Sequence, residues 1–284
     1  MRAAAAALCL WGTPVLAQSS DVIAKGKVLF AVGGCANCHT DTKRKGPLAA
    51  GGAALKTPFG AFYAPNITPD KDHGIGAWSD DDFIRAMRDG IAPDGSHYFP
   101  VFPYPSFTNM TDDDMRALKA YIFTLPPVAQ ADRPHDVGFP FNLRFGQIFW
   151  KWLFFDRGPY KADDTKSAQW NRGAYLSRAV AHCGECHTPR NFLGGLDHSQ
   201  WFVGAEEGKG PEGEAVPNIR SDDGNGIRAW SMEQIEIYLE SGEDPEGDYA
   251  GSLMFDVVDM GTDQLSNADR SAISTYLKAL PPIR

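Results

Sequence analysis

The chain has 284 residues, 43% hydrophobic and 22% charged, a globular composition that excludes a disordered tail or coiled coil and allows one large or two modest domains. Its net charge of -9 comes without clusters of Lys and Arg, which argues against nucleic acid and favours basic docking partners through a long-range, salt-screened bias. The most apolar stretch after residue 17, Ile148 to Phe155, is broken by Lys151, so no run approaches the roughly 20 residues of a membrane-spanning helix.

From the N-terminus, Arg2 and the apolar run Ala3 to Leu16, closing on Val15-Leu16-Ala17, predict a cleaved export signal over residues 1–17. Cys9 lies within it, and Leu8 stands where a lipoprotein signal has a small residue. The other cysteines form two pairs, Cys35-Ala36-Asn37-Cys38-His39 and Cys183-Gly184-Glu185-Cys186-His187. Each matches the CxxCH attachment site of c-type haem, in which two thiols add to the porphyrin vinyl groups and the adjacent His ligates iron. Zinc ribbons space their pairs much more closely, a thioredoxin-like pair needs a βαβ context that is missing, and a two-residue disulfide loop removes little chain entropy. The expected cofactors are therefore two covalently bound haem c groups, on Cys35 and Cys38 with His39, and on Cys183 and Cys186 with His187.

Both motifs sit inside an internal repeat. Gly26 and Leu29 precede the first pair as Gly173 and Leu176 precede the second. Pro65-Asn66-Ile67 recurs as Pro217-Asn218-Ile219, Gly74-Ile75-Gly76-Ala77-Trp78-Ser79 as Gly226-Ile227-Arg228-Ala229-Trp230-Ser231, and the Ala120-Tyr121 to Pro127 segment as Thr275-Tyr276 to Pro282. Ser79 with Asp82, and Ser231 with Gln234, predict N-caps of a middle helix that ends at Gly90 or Gly242. Thr111 with Asp114, and Ser266 with Asp269, cap a last helix with one apolar face: Met115, Leu118, Tyr121, Ile122 and Leu125, then Ile273, Tyr276, Leu277 and Leu280. Double prolines stop it, and Gly26 and Gly173 let the first helix cross the last closely. With little strand alternation elsewhere, the fold class is all-α: one haem domain over 18–128, a second over 169–284, and an aromatic-rich linker over 129–168. The linker reads as a structured connector packed across the two domains, with a docking surface for a partner or membrane as the alternative. The Pro47 carbonyl is a candidate acceptor for the His39 ring. Arg190, Trp78 and Trp230 are candidate propionate contacts, or packing and surface residues.

CxxCHT, Pro-Asn-Ile, Gly-Ile-x-x-Trp-Ser, Phe-Pro-Tyr-Pro-Ser-Phe (Phe102 to Phe107) and Ala-Tyr-x-x-x-Leu-Pro-Pro together resemble the multihaem cytochrome c subunits of periplasmic alcohol, aldehyde and gluconate dehydrogenases. The resemblance covers nearly all of the mature chain and implies two tandem class I cytochrome c-like domains in the periplasm. It also implies redox protein partners, a dehydrogenase donor and a cytochrome or oxidase acceptor. Those subunits usually carry three haems and a C-terminal anchor, so this two-motif chain is similar to a soluble di-haem relative. Met254 matches the family's axial Met, pairing with His187 on the second iron, and Met254 as core filler is the plainer role. In the first half Phe99 stands at the corresponding place and Phe102 where relatives often have Met. Met110 and His97 are the nearby candidates for a sixth ligand, against apolar packing and a solvated turn. A filled coordination sphere makes an electron carrier rather than an enzyme. An open first haem makes a peroxidase-like or sulfur-oxidising site, or a gas sensor, although no acid, base or Arg constellation lies beside Phe102.

Overall fold

A computed structural model describes residues 19–220 and 226–282. The predicted export signal, with Arg2 and Cys9, lies outside the described residues. The first half begins with α1 (Ser20–Val32), started by the Ser19 side chain accepting from the Val22 amide and closed by Gly33. The first motif is the short α2 (Cys35–His39). After a loop come α3 (Asp80–Asp89), α4 (Tyr104–Phe107) and α5 (Asp112–Ile122). Ser79 and Asp82 form the expected capping box, Thr111 caps α5, and Gly90 ends α3 in the left-handed region at φ 61°. A connecting helix, α6 (Gly146–Phe154), precedes α7 (Ala168–Tyr175), which continues through a π turn. The second motif lies on α8 (Gly184–His187), followed by α9 (Met232–Ser241), α10 (Ser252–Asp259) and α11 (Asn267–Lys278).

The repeat appears in space as two equivalent crossings, α1 on α5 and α7 on α11. A Cβ on Gly26 would lie 2.0 Å from the Ala117 carbonyl oxygen, and one on Gly173 1.9 Å from that of Ala272. Only a glycine lets the backbones approach so far. The crossings bury Leu29, Phe30, Met115, Leu118 and Ile122 in one half and Leu176, Ile273, Tyr276 and Leu277 in the other. One apolar cluster takes in buried residues of both halves, among them Val32, Phe107, Val180 and Ala181.

The expectation of an all-α class needs one correction. The chain is mostly helical, but β1 (Ala54–Thr57), β2 (Gly60–Tyr63) and β3 (Asp136–Val137) form an antiparallel sheet in that order. Strands of two to four residues, with Phe62 alone buried, are too short for alternation to register. β3 belongs to the connecting segment, so its pairing with β2 is a long-range contact that local pattern does not encode. The same segment bridges both halves through the inner face of α6. Lys151 Nζ donates to the carbonyls of Asp89 and Gly90, at 2.5 and 2.9 Å, and Trp150 Nε1 to that of Leu193. Its outer face carries Phe145, Ile148, Phe149, Trp152 and Leu153, all exposed, Trp152 to 83%. α6 thus packs Trp150 and Lys151 inward and keeps an apolar stripe outward. Among the described residues no helix is long and apolar enough to cross a membrane.

Candidate functional site

Each CxxCH motif begins on a tight turn after a helix. Gly33 ends α1, Gly34 adopts φ 61°, and Cys35 opens α2, leaving His39 at its C-terminal end. The His39 ring donates through Nδ1 to the Pro65 carbonyl, 2.7 Å away, and His187 does the same to Pro217 at 2.8 Å. The expected acceptor, Pro47, instead takes the Ala50 amide. The loop folds back because the Gly51 amide donates to the His39 carbonyl and Gly52 lies where a Cβ would be 1.7 Å from the Cys38 oxygen. That closure brings Pro65, not Pro47, over the ring. The recurrence of Pro-Asn-Ile held this information.

Sequence reasoning missed the residues that pin these loops. Thr40 and Thr188, each following its His, accept the amides of Ala49 and Phe202, both at 3.1 Å. Buried Asn66 donates to the carbonyls of Val128 and Gln130 and accepts from the Thr68 amide, while Asn218 accepts from that of Arg220. The threonines and asparagines recur in both halves, so the repeat was the available signal.

With Nδ1–H committed to a carbonyl, Nε2 of His39 and His187 keeps a lone pair, the form that ligates a metal. Burial holds both rings below the ordinary histidine range, which favours the neutral form. Burial also pushes the Cys35 and Cys183 thiols up to about 12 and the Cys186 thiol to about 11. The four motif cysteines are free. Among the described residues no three His, Cys, Asp or Glu side chains gather as a metal cluster, so the zinc alternative lacks its third and fourth donors. Two protonated thiols and one neutral imidazole per motif fit covalent haem c, with the histidine as proximal ligand.

The remaining candidates are placed as follows. Arg190 does not stand free for a propionate. Its Nη2 donates to the Glu185 carboxylate at 2.6 Å and to the Glu185 carbonyl, and its Nη1 to the Gly194 carbonyl. Glu185, buried between the cysteines, also accepts from Ser106 of the first half at 2.5 Å. That partner comes from far away in sequence, which is why the pairing was not foreseen. Trp78 and Trp230 are half-buried against the core, Trp230 with its edge on Tyr238. Met254 is half-buried in the first turn of α10. Met110 is buried before the α5 cap, its carbonyl accepting from Arg88. His97 faces Lys151, whose ammonium lies 2.9 Å from its Nδ1. That contact occupies Nδ1 of the ring. Phe99 is packed against Phe62 and His135.

The two motifs also meet. His182, just before Cys183, donates from Nε2 to the Gly33 carbonyl at 3.2 Å and stands edge-on to Phe107. Asn37 donates to the Asp256 carbonyl on α10. Tyr175 donates to buried Asp114, which is also paired with Lys25.

Residues 23–126 match the cytochrome c family. Over 98% of its length the chain is 42% identical to a diheme cytochrome c-type protein of Cereibacter sphaeroides, covering 95% of that protein. It is 39% identical over 96% of its length to the fructose dehydrogenase cytochrome subunit of Gluconobacter japonicus, of which it spans 57%. It is 35% identical over 93% of its length to the gluconate 2-dehydrogenase cytochrome c subunit of Pantoea cypripedii, of which it spans 60%. The chain thus matches nearly the whole of the first and less than two thirds of the other two.

Proposed function

This chain belongs to the cytochrome c family, and from that premise we propose that it is a periplasmic di-haem electron relay of two tandem haem domains, residues 18–128 and 169–284. Haem c binding and electron transfer come with the family. In this reading Cys35 and Cys38 hold one haem with His39 as proximal ligand. Cys183, Cys186 and His187 hold the other, with Met254 as its sixth ligand. The haem supplies one-electron chemistry at iron. The protein fixes each imidazole in the ligating tautomer through the Pro65 and Pro217 carbonyls, and this twin geometry is the observation that carries the reading. Electrons enter from a dehydrogenase and leave to a cytochrome or oxidase. The outward stripe of α6 is the docking face, since contiguous apolar surface of this kind marks partner sites. The test is to count haems on the purified protein by mass and haemochrome spectrum, then to follow reduction by a substrate-driven dehydrogenase. A single haem per chain, or haems that no dehydrogenase reduces, would refute the relay.

A second reading rests on the first half. Phe99 stands opposite Met254 in the repeat, and His97 has its Nδ1 against the Lys151 ammonium. The candidate sixth ligands there are Met110 and His97. If neither bound it, the first haem would lack a sixth ligand and would be open to peroxide or a reduced sulfur compound. Ferric spectra separate the two: low-spin signals from both haems that resist cyanide exclude the open site.

A further inference from the structure

His182 and Gly34 occupy the same place in the repeat, each immediately before the first cysteine of its motif. Both have left-handed backbones, φ 61° at Gly34 and φ 40° at His182. The turn into the motif requires that conformation, and glycine adopts it freely, whereas an L side chain is strained there. The second half therefore carries a strained residue where the first shows that glycine suffices. A strained position that persists is a reason to ask what the side chain does.

The side chain reaches into the first motif. Its Nε2–H donates to the carbonyl of Gly33, and a Cβ on Gly34 would lie 3.9 Å from that same nitrogen. Its ring stands at 82° to Phe107, with 5.3 Å between centroids. Gly33 and Gly34 lead directly into Cys35, and His182 leads directly into Cys183. Bond by bond, the chain runs from Cys35 through Gly34 to the Gly33 carbonyl, crosses one hydrogen bond to the imidazole, and continues through His182 to Cys183.

We propose that His182 is a positioning residue that couples the two attachment motifs into one electron path, the single hydrogen bond to Gly33 being the only break in its covalent chain. The proposal rests on the relay reading and extends it to the step between the haems. One electron crosses per event: one iron goes from ferrous to ferric and the other from ferric to ferrous. No bond is made or broken, and the imidazole proton stays on Nε2. The ring contact with Phe107 holds the imidazole at the crossing.

The experiment uses the full holo-protein. One haem is reduced by a short radiolytic or photochemical pulse, and electron exchange with the other is followed optically. Midpoint potentials are measured separately by spectroelectrochemistry. His182→Phe keeps a ring against Phe107 and removes the donor. It is expected to bind both haems with unchanged potentials and to slow inter-haem exchange several-fold. His182→Gln, which restores a donor, is expected to recover most of the rate. A His182→Phe protein exchanging at the wild-type rate would overturn the proposal. If that variant fails to take up both haems, His182→Gly decides: it relieves the backbone strain and removes the bridge, so slowed exchange supports the proposal and unchanged exchange overturns it. Failure of the relay reading looks different, because the wild-type protein would then carry one haem or show no exchange at all.

Discussion

Replacing Gly26 by alanine sets two opposed effects against each other. Within a helix the change is favourable by about 1 kcal/mol, because alanine loses less backbone entropy on folding. At the α1–α5 crossing the new methyl would lie 2.0 Å from the Ala117 oxygen, 2.7 Å from its carbon and 2.8 Å from the Tyr121 Cβ. Carbon does not approach such atoms within 3.0 Å, and two of the three are backbone, which cannot rotate aside. The helices must separate, loosening the contacts of Leu29, Phe30 and Leu118. A gap of roughly 0.5–1 Å forfeits a quarter to a half of each dispersion contact. Overpacking of this kind costs about 1–3 kcal/mol, and backbone neighbours put Gly26 at the upper end. After the helical gain, the net loss is about 2 kcal/mol, or roughly 5 °C in melting temperature for a chain of this size. Thermal unfolding of the holo-protein, followed by far-UV circular dichroism, measures it. Gly173→Ala should behave alike, since its methyl would meet the Ala272 oxygen at 1.9 Å. Gly146→Ala, with nothing within 4 Å of the new atom, should melt at or slightly above wild type. A Gly26→Ala protein that melts at or above wild type would show that helix propensity outweighs the crossing, and the reasoning would fail.

Asn66→Ala leaves the Val128 and Gln130 carbonyls without their donor and the Thr68 amide without its acceptor. The expected loss is about 2 kcal/mol, seen as a lower urea midpoint with an unchanged slope. Tyr175→Phe removes the hydroxyl that donates to buried Asp114 across the two halves, and should cost about 1.5–3 kcal/mol, as for other bonds to charged groups. Met254→Ala, under the proposed ligation, should turn the second iron high-spin and lower its midpoint potential. Unchanged spectra would remove Met254 from the coordination sphere. Acid sensitivity follows from His97 and His135, both held below the ordinary histidine range by burial first, then by Lys151 and Arg144 respectively. Unfolded histidines titrate near pH 6.5, so below that value the unfolded chain binds protons that the folded chain refuses, and stability falls with pH. His135→Gln should flatten this dependence in urea titrations from about pH 7 to about pH 5.

Much of the fold was legible because its signals are local. Ser79, Thr111, Ser231 and Ser266 cap the helices expected of them, and Gly26 and Gly173 sit at the close crossings. What escaped was closure between distant segments. The sheet needs β3 from the connecting segment. The His39 ring needs the carbonyl of Pro65, 26 residues on, rather than that of nearby Pro47. Glu185, the partner of Arg190, is itself held by Ser106, 79 residues away in the other half. Spacing along the chain identifies a group that requires a partner. Which partner arrives is decided by how the loops close.

The two halves repeat the residues that would hold the proposed haems and differ where they touch each other. Both have the cysteines, the histidine, the following threonine and the proline carbonyl. The residues between the cysteines, which take no part in haem attachment, are Ala36 and Asn37 in one half and Gly184 and Glu185 in the other. Asn37 donates to the Asp256 carbonyl on α10, so the first motif steadies the helix that carries Met254. Glu185 accepts from Ser106, so α4 of the first half steadies the second motif. Gly184 admits Trp201, whose ring would lie 2.3 Å from a Cβ there. The constraint on a CxxCH motif is thus divided. Haem attachment dictates the outer three residues, and one inner residue of each motif, Asn37 or Glu185, contacts the other half. His182, one step outside the motif, belongs with that second group. A swap of Ala36-Asn37 for Gly-Glu is therefore expected to keep the first haem attached while weakening the contact between the halves, detectable as faster proteolysis of the connecting segment. A swapped protein that resists protease as wild type does would mean that the inner pair carries no such information.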